Sequence, residues 1–226
     1  RQLLASLALV LPLAAAAGPV NVLTNGGFES TKLANGQWQV FGSLDGWSLV
    51  SGPGIEVRRN VAGAAKEGQN YIELDSYGNS AMSQSLANLT PGAEYELSFW
   101  YSPRAGVAAD SNGLQVLWNG QLLSALTANG LGLNAHQWVE YHFEVTAQQG
   151  LNTLGFASVG RNDSLGGSLD NVSLVQADRG LRLNLRNAPA TAFVGGQMIR
   201  GVREHLFAVL RDILEKARIK QSGHKD

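Results

Sequence analysis

A two-sheet antiparallel β-sandwich is the fold class this sequence predicts, on three observations. Residues 94–101 alternate strictly, with Tyr95, Leu97, Phe99 and Tyr101 on one side and Glu94, Glu96, Ser98 and Trp100 on the other. Residues 138–145 repeat the pattern, Val139, Tyr141, Phe143 and Val145 opposing Trp138, Glu140, His142 and Glu144. A period of two marks a strand with one face in a core and one toward solvent. The third observation is texture: 27 glycines and 15% charged residues in a chain of 226 suit many short strands joined by turns.

In chain order, residues 1–17 open on Arg1, run apolar from Leu3 to Leu13 and end in alanines. That pattern predicts a secretory signal peptide with a truncated start, cleaved after Ala16 or Ala17, and an exported mature chain without a transmembrane segment. Residues 18–177 read as the sandwich. Further strands are expected at 55–58, 71–74, 81–86, 114–118, 153–157 and 169–175, and Thr90-Pro91-Gly92, Asn119-Gly120 and Gly166-Gly167 mark turns. After Ala177 the texture changes. Residues 181–185 alternate like a short strand, and Met198, Val202, Leu206, Val209, Ile213 and Ala217 recur at steps of three or four, predicting one amphipathic helix over about residues 198–217. The prediction is thus all-β, with a short C-terminal strand-helix appendage over residues 178–226.

Charge separates the two parts. Residues 1–177 hold 7 basic and 13 acidic residues, while 178–226 hold 10 and 5. An acidic main domain argues against a nucleic-acid partner, because phosphate binding needs clustered Lys and Arg. The absence of cysteine excludes a disulfide framework, a thiolate metal site and a thiol nucleophile. No H-E-x-x-H, P-loop, dinucleotide fingerprint or nucleophile elbow is present. Glu73 and Asp75 share one strand side, the one arrangement suggesting a glycoside-hydrolase pair, but two carboxylates so spaced are ordinarily a solvated face. The chain therefore reads as a non-enzyme.

Two distant segments carry the most information: TNGGFES at 24–30 and SLDNVSL at 168–174. Each sets one acid, Glu29 or Asp170, among glycines and small polar residues. If the strands meet, the two carboxylates either share a hard cation, for which calcium with its all-oxygen shell is suited, or accept backbone N–H groups as turn residues. Together with NYIELDS at 70–76, YSPR at 101–104, LWNG at 117–120 and DSLGG at 163–167, these segments resemble the galactose-binding-like jelly rolls. That superfamily includes many bacterial carbohydrate-binding modules, and a secreted bacterial group similar to plant cell-wall DUF642 proteins, often with a C-terminal sorting tail. The resemblance covers roughly residues 20–177. It implies a jelly-roll sandwich that binds polysaccharide without catalysis, and a structural calcium ion at the sandwich edge held by Glu29, Asp170 and Glu67 with carbonyls from Asn25 to Gly27.

On the outward side of the two alternating strands, Glu96, Trp100, Trp138, Glu140 and His142 would form one surface of aromatic and hydrogen-bonding groups suited to sugar rings. The competing expectation is that Trp100 or Trp138 packs beneath a loop, since Trp is usually largely buried. Arg104 and Asp163 are expected to pair and pin two loops. A structural or adhesive exoprotein without a sugar site is the alternative function. The segment 179–214 resembles part of the N-terminal region of bacterial nucleotide monophosphate nucleosidases of the lysine-decarboxylase-like group. Their P-G-G-x-G-T phosphate motif is missing here, so no catalytic role carries over and the appendage is expected to be non-functional.

Overall fold

The computed structural model describes residues 20–177, together with the strands Thr191–Val194 and Gln197–Arg200. Residues 1–178 and 179–226 form two separate units. The first is a sandwich of twelve strands: β1 Trp38–Phe41, β2 Ser43–Leu44, β3 Trp47–Ser51, β4 Ile55–Arg58, β5 Tyr71–Glu73, β6 Ala81–Leu86, β7 Glu94–Ser102, β8 Gly113–Trp118, β9 Gln121–Leu126, β10 Val139–Thr146, β11 Asn152–Val159 and β12 Ser168–Gln176. The first sheet has the order β1-β4-β5-β12-β7-β10 and the second β2-β3-β6-β11-β8-β9. Every pairing is antiparallel. The two-sheet antiparallel sandwich expected from the alternating pattern, and the all-β jelly roll that the family resemblance implies, is the fold observed.

Strand positions follow from local chemistry. In β7 the alternation holds: Tyr95, Leu97, Phe99 and Tyr101 are all buried, whereas Glu96 is exposed. Asn119 and Gly120 have φ of +50° and +76° and separate the paired residues Trp118 and Gln121, the two-residue hairpin for which an Asn-Gly pair is selected. Between the sheets, Phe99 meets Phe156 edge-on at 5.2 Å, and Trp47 lies 6.0 Å from Phe156 and 5.8 Å from Phe28. Aromatic residues from both sheets and from the N-terminal segment thus form one continuous core.

The expectation of one solvated face fails for the first sheet. Its outward side carries Glu56, Arg58, Tyr71, Glu73, Ser102, Ser168 and Asp170, all buried. Residues 62–70 and 161–167 lie over them, making the contacts described below, so a half-polar pattern here records a second, polar interior rather than a wet surface.

In the second unit, Thr191–Val194 (β13) and Gln197–Arg200 (β14) pair antiparallel, Val194 opposite Gln197. The helix expected from Met198 therefore does not begin there. Two strand-forming runs flank the pair Gly195-Gly196, a two-residue hairpin signal that outweighs the helical periodicity at this point. The remainder of the expected helix, the strand at 181–185 and the signal peptide at 1–17 lie outside the described residues.

Candidate functional site

The outward face of the first sheet holds Glu96, Trp100, Glu140, His142 and Asp170, while Asn25 and Gly27 lie in an N-terminal turn bonded to Trp47 of the second sheet. The centre of the outward face is a buried ion network. Arg58 Nε contacts Glu56 Oε1, Arg58 Nη1 lies 2.7 Å from Glu73 Oε2, and Arg104 Nη1 lies 3.1 Å from the same oxygen. Glu73 Oε1 accepts the Gly166 N–H at 2.8 Å. Burial nevertheless pushes the Glu73 carboxyl up to about 8, against the pull of the two guanidinium groups. Glu73 and Asp75 are both 0% exposed. Neither carboxylate can reach a glycosidic oxygen, so the hydrolase arrangement has no substrate access.

Beside this network the two motif segments meet. Val172 N–H donates to Gly26 O at 2.9 Å, and Val22 N–H to Leu174 O at 2.9 Å, laying the N-terminal segment along β12. Gly26 is required here: a Cβ would sit 1.9 Å from Val172 O. The two acids then cradle residues 66–70. Asp170 Oδ2 accepts the N–H groups of Lys66 at 2.7 Å and Glu67 at 3.1 Å, while Glu29 Oε1 accepts those of Gln69 and Asn70, both at 2.7 Å. Gly68 lies between the two pairs at φ +63°, where a Cβ would come within contact of Glu29.

The cradle matches the turn reading more closely than the full ligand set. Asn25 O accepts Trp47 Nε1–H and Phe28 N–H, each at 3.2 Å, and Asn25 Oδ1 accepts Ser30 N–H at 3.1 Å, so Asn25 is a turn keystone. Gly27 sits in the same turn. Glu67 is exposed and turns a backbone donor, not its carboxylate, toward Asp170. Among the described residues, no group of three or more His, Cys, Asp or Glu side chains is placed to hold a metal. Glu29 and Asp170 are close enough to repel. Burial, with the charge of Glu29 adding, pushes the Asp170 carboxyl up to about 7 despite its backbone N–H donors.

That shift has a sign. A folded carboxyl pKa above the unfolded value near 3.8 means that the folded state binds the extra proton, so stability falls as pH rises from about 4 to about 7. Asp170→Asn should flatten this part of the stability profile in metal-free buffer, measured by urea unfolding across that range.

The five residues proposed for sugar contact separate into two groups. Register places Trp100 opposite Asp170 on one side and Glu140 on the other. The Trp100 ring is covered by Lys66 Nζ, 3.6 Å from its centroid, a cation–π contact. Trp138 is half-buried, its Nε1–H donating to Ala64 O at 3.2 Å and its ring edge-on to Tyr71 at 6.0 Å and His136 at 4.8 Å. His136 Nδ1, 2.8 Å from the same carbonyl, must donate to it, leaving Nε2 to accept from Ser168 Oγ at 3.1 Å. Both tryptophans thus pack under residues 62–70. Glu96, Glu140 and His142 remain exposed at the β10 edge, with His142 Nδ1 2.7 Å from Glu96 Oε1 and Nε2 3.5 Å from Glu140 Oε2.

Arg104 and Asp163 do not pair with each other. Arg104 is drawn inward by buried Glu73 and reaches Ser164 O at 3.3 Å, while Asp163 Oδ2 accepts Ser111 Oγ–H at 2.8 Å. Both tie down residues 161–166, through different partners.

The structure adds an aromatic pair at the opposite edge of this face. Trp38, paired with Arg58 across β1 and β4, is 45% exposed, and Tyr77 is 68% exposed, with ring centroids 6.3 Å apart at 65°. Sequence reasoning singled out neither: β1 is only four residues long, and Tyr77 lies outside the strands. Their one sequence signal is being aromatic in turn-rich stretches.

Comparison with known proteins gives two separate likenesses. Residues 168–218 match the family model for pyrimidine/purine nucleotide 5'-monophosphate nucleosidases. The nucleosidase of that name from Escherichia coli K12 is 49% identical over 43 residues, 19% of this chain and 10% of the enzyme. The resemblance read in residues 179–214 is thus found by comparison, and the family match starts at Ser168, the first residue of β12. The multifunctional-autoprocessing repeats-in-toxin protein of Vibrio cholerae serotype O1 is 32% identical over 154 residues, and its counterpart in Vibrio vulnificus equally so. This alignment takes in 67% of the chain, which spans only 3% of the length of those toxins. Among solved structures, a CBM35 from Paenibacillus barcinonensis is 22% identical with a TM-score of 0.39, covering 62% of this chain and 98% of its own. TmCBM61 in complex with beta-1,4-galactotriose is 19% identical with a TM-score of 0.42, covering 70% and 99%. No helix among the described residues is long and apolar enough to cross a membrane.

Proposed function

We propose that residues 20–177 form a non-catalytic carbohydrate-binding module of an exported protein, taking a polysaccharide on the outward side of the first sheet. The carrying observation is the exposed pair Trp38 and Tyr77 at the open β1 edge. Aromatic faces left in water next to hydrogen-bonding groups are suited to the apolar side of a pyranose ring. Trp100 and Trp138 are less suited, since residues 62–70 cover them. Likeness to a segment of a protein named as a toxin supports the exported setting.

Calcium belongs to this proposal as a structural ion at the cradle. Glu29 Oε2, and Asp170 Oδ1 beside the Asn171 N–H that it accepts at 2.6 Å, are the oxygens that would face it, and it would neutralise two repelling carboxylates and so fix residues 66–70. On that reading, calcium removes the pH dependence predicted for the metal-free protein.

The test is a soluble-glycan panel titrated into the full chain by calorimetry. One glycan class should bind, and Trp38→Ala and Tyr77→Ala should each weaken it about tenfold or more, near 1.4 kcal/mol, while Trp138→Ala acts mainly on stability. If no glycan binds, the covered centre of the sheet favours the second reading, a structural or adhesive exoprotein.

A further inference from the structure

The loop end of the sandwich holds a second group of oxygens, away from the cradle. Asp75, just after β5, is 0% exposed, and its Oδ1 has no hydrogen-bond partner. Its Oδ2 is held by Asp163 N–H at 3.3 Å and Leu165 N–H at 3.4 Å, and Ser164 N–H is also directed at the carboxylate. Those distances are at the weak end for an N–H donor. The same contact brings Asp163 alongside, and Asp163 Oδ1 is likewise buried and without a partner. Ser76 Oγ, in a residue 5% exposed, is a third such oxygen. A fully buried carboxylate oxygen left without donors costs several kcal/mol.

Charge does not balance here either. The ion pairs on this side of the sandwich involve Glu56, Glu73, Asp110 and Asp163, with Asp75 beside them, against Arg58, Arg104 and Arg161. Five carboxylates stand against three guanidinium groups. Arg161 does little to relieve it, being 2.6 Å from Asp110 and 3.9 Å from Asp163 Oδ2.

We propose that Asp75 Oδ1 and Asp163 Oδ1, with Ser76 Oγ and water, bind a hard divalent cation of the calcium type that locks residues 161–166 against the end of β5. All the donors are oxygens, the set such an ion selects over softer metals. One divalent charge offsets the two carboxylates Asp75 and Asp163. The ion would hold together the loop that also carries Ser164 O to Arg104 and Gly166 N–H to Glu73, so the buried network depends on it.

The experiment is calcium titration by calorimetry of the full chain after chelator treatment, with the thermal midpoint read in parallel. Asp163→Asn should lose one equivalent of calcium and that site's share of the midpoint rise, while Asp170→Asn, at the separate cradle, should leave this equivalent in place. Asp75→Asn should behave like Asp163→Asn. Should Asp75→Asn fail to fold, Asp163→Asn decides, because its side chain is 27% exposed and tolerates change. Failure of the cradle reading would show as an Asp170→Asn variant with unchanged stoichiometry, and would leave this site standing. The proposal is overturned if Asp163→Asn keeps the full stoichiometry, or if calcium leaves the wild-type chain unaffected while acid stabilises it, the signature of a proton shared by the two carboxyls.

Discussion

Arg58→Met should lower stability by about 3–5 kcal/mol, the cost of breaking a buried ion pair from one side. Arg58 is 5% exposed and contacts both Glu56 and Glu73. Without it, two cross-strand carboxylates face each other, Glu73 beneath Gly166, with Arg104 alone to offset them. The deficit must depend on pH. Burial already pushes Glu73 up to about 8, so the folded state binds the proton more tightly than the unfolded chain, and stability contributed by this group falls as pH rises toward 8. Loss of Arg58 raises that carboxyl further. Urea unfolding of the variant should therefore show a deficit that shrinks from pH 8 to pH 5, and adding Glu73→Gln should recover part of it at pH 8. A deficit equal at both pH values would mean that Arg58 acts through packing of its stem rather than through charge.

Phe99→Ala should cost a similar 3–5 kcal/mol, by the cavity left at a fully buried ring. Phe99 stacks on Tyr141 at 5.7 Å and Phe143 at 6.0 Å and meets Phe156 edge-on at 5.2 Å. It thereby fastens the edge strand β10 to β7 and the first sheet to the second. Phe143→Ala, at a half-buried ring on the same edge, should cost distinctly less. Equal costs for the two, measured by chemical denaturation, would contradict the central place given to Phe99.

Much of the fold was legible because alternation is a geometric consequence of the strand. Segments 94–101 and 138–145 became β7 and β10 with their inward residues as read, and Asn119-Gly120 made the hairpin its φ values require. β1, β2, β3 and β9 escaped: the first two are short, and Leu122-Leu123 in β9 breaks the alternation. The cradle was legible as a meeting of two motifs. Its chemistry was not, because a carboxylate facing a cation and one facing N–H donors look identical in sequence. Arg104 was expected beside Asp163, but buried Glu73 exerts the stronger pull. Nor can spacing distinguish a tryptophan that a loop covers, such as Trp100, from one left in water, such as Trp38. That depends on where residues 62–70 fold back, which is a tertiary outcome.

The last strand of the sandwich lies in the middle of a sheet, β12 running between β5 and β7. During synthesis, the strands on either side must wait for it: until residue 176 has left the ribosome, β1-β4-β5 and β7-β10 are two fragments with open edges. Closure depends on contacts far apart in sequence, such as Asn21 Oδ1 accepting Leu174 N–H across 153 residues, which makes late, slow folding the expected route. A chain cut before residue 168 would therefore not give a smaller domain; it would leave both edges open to self-association.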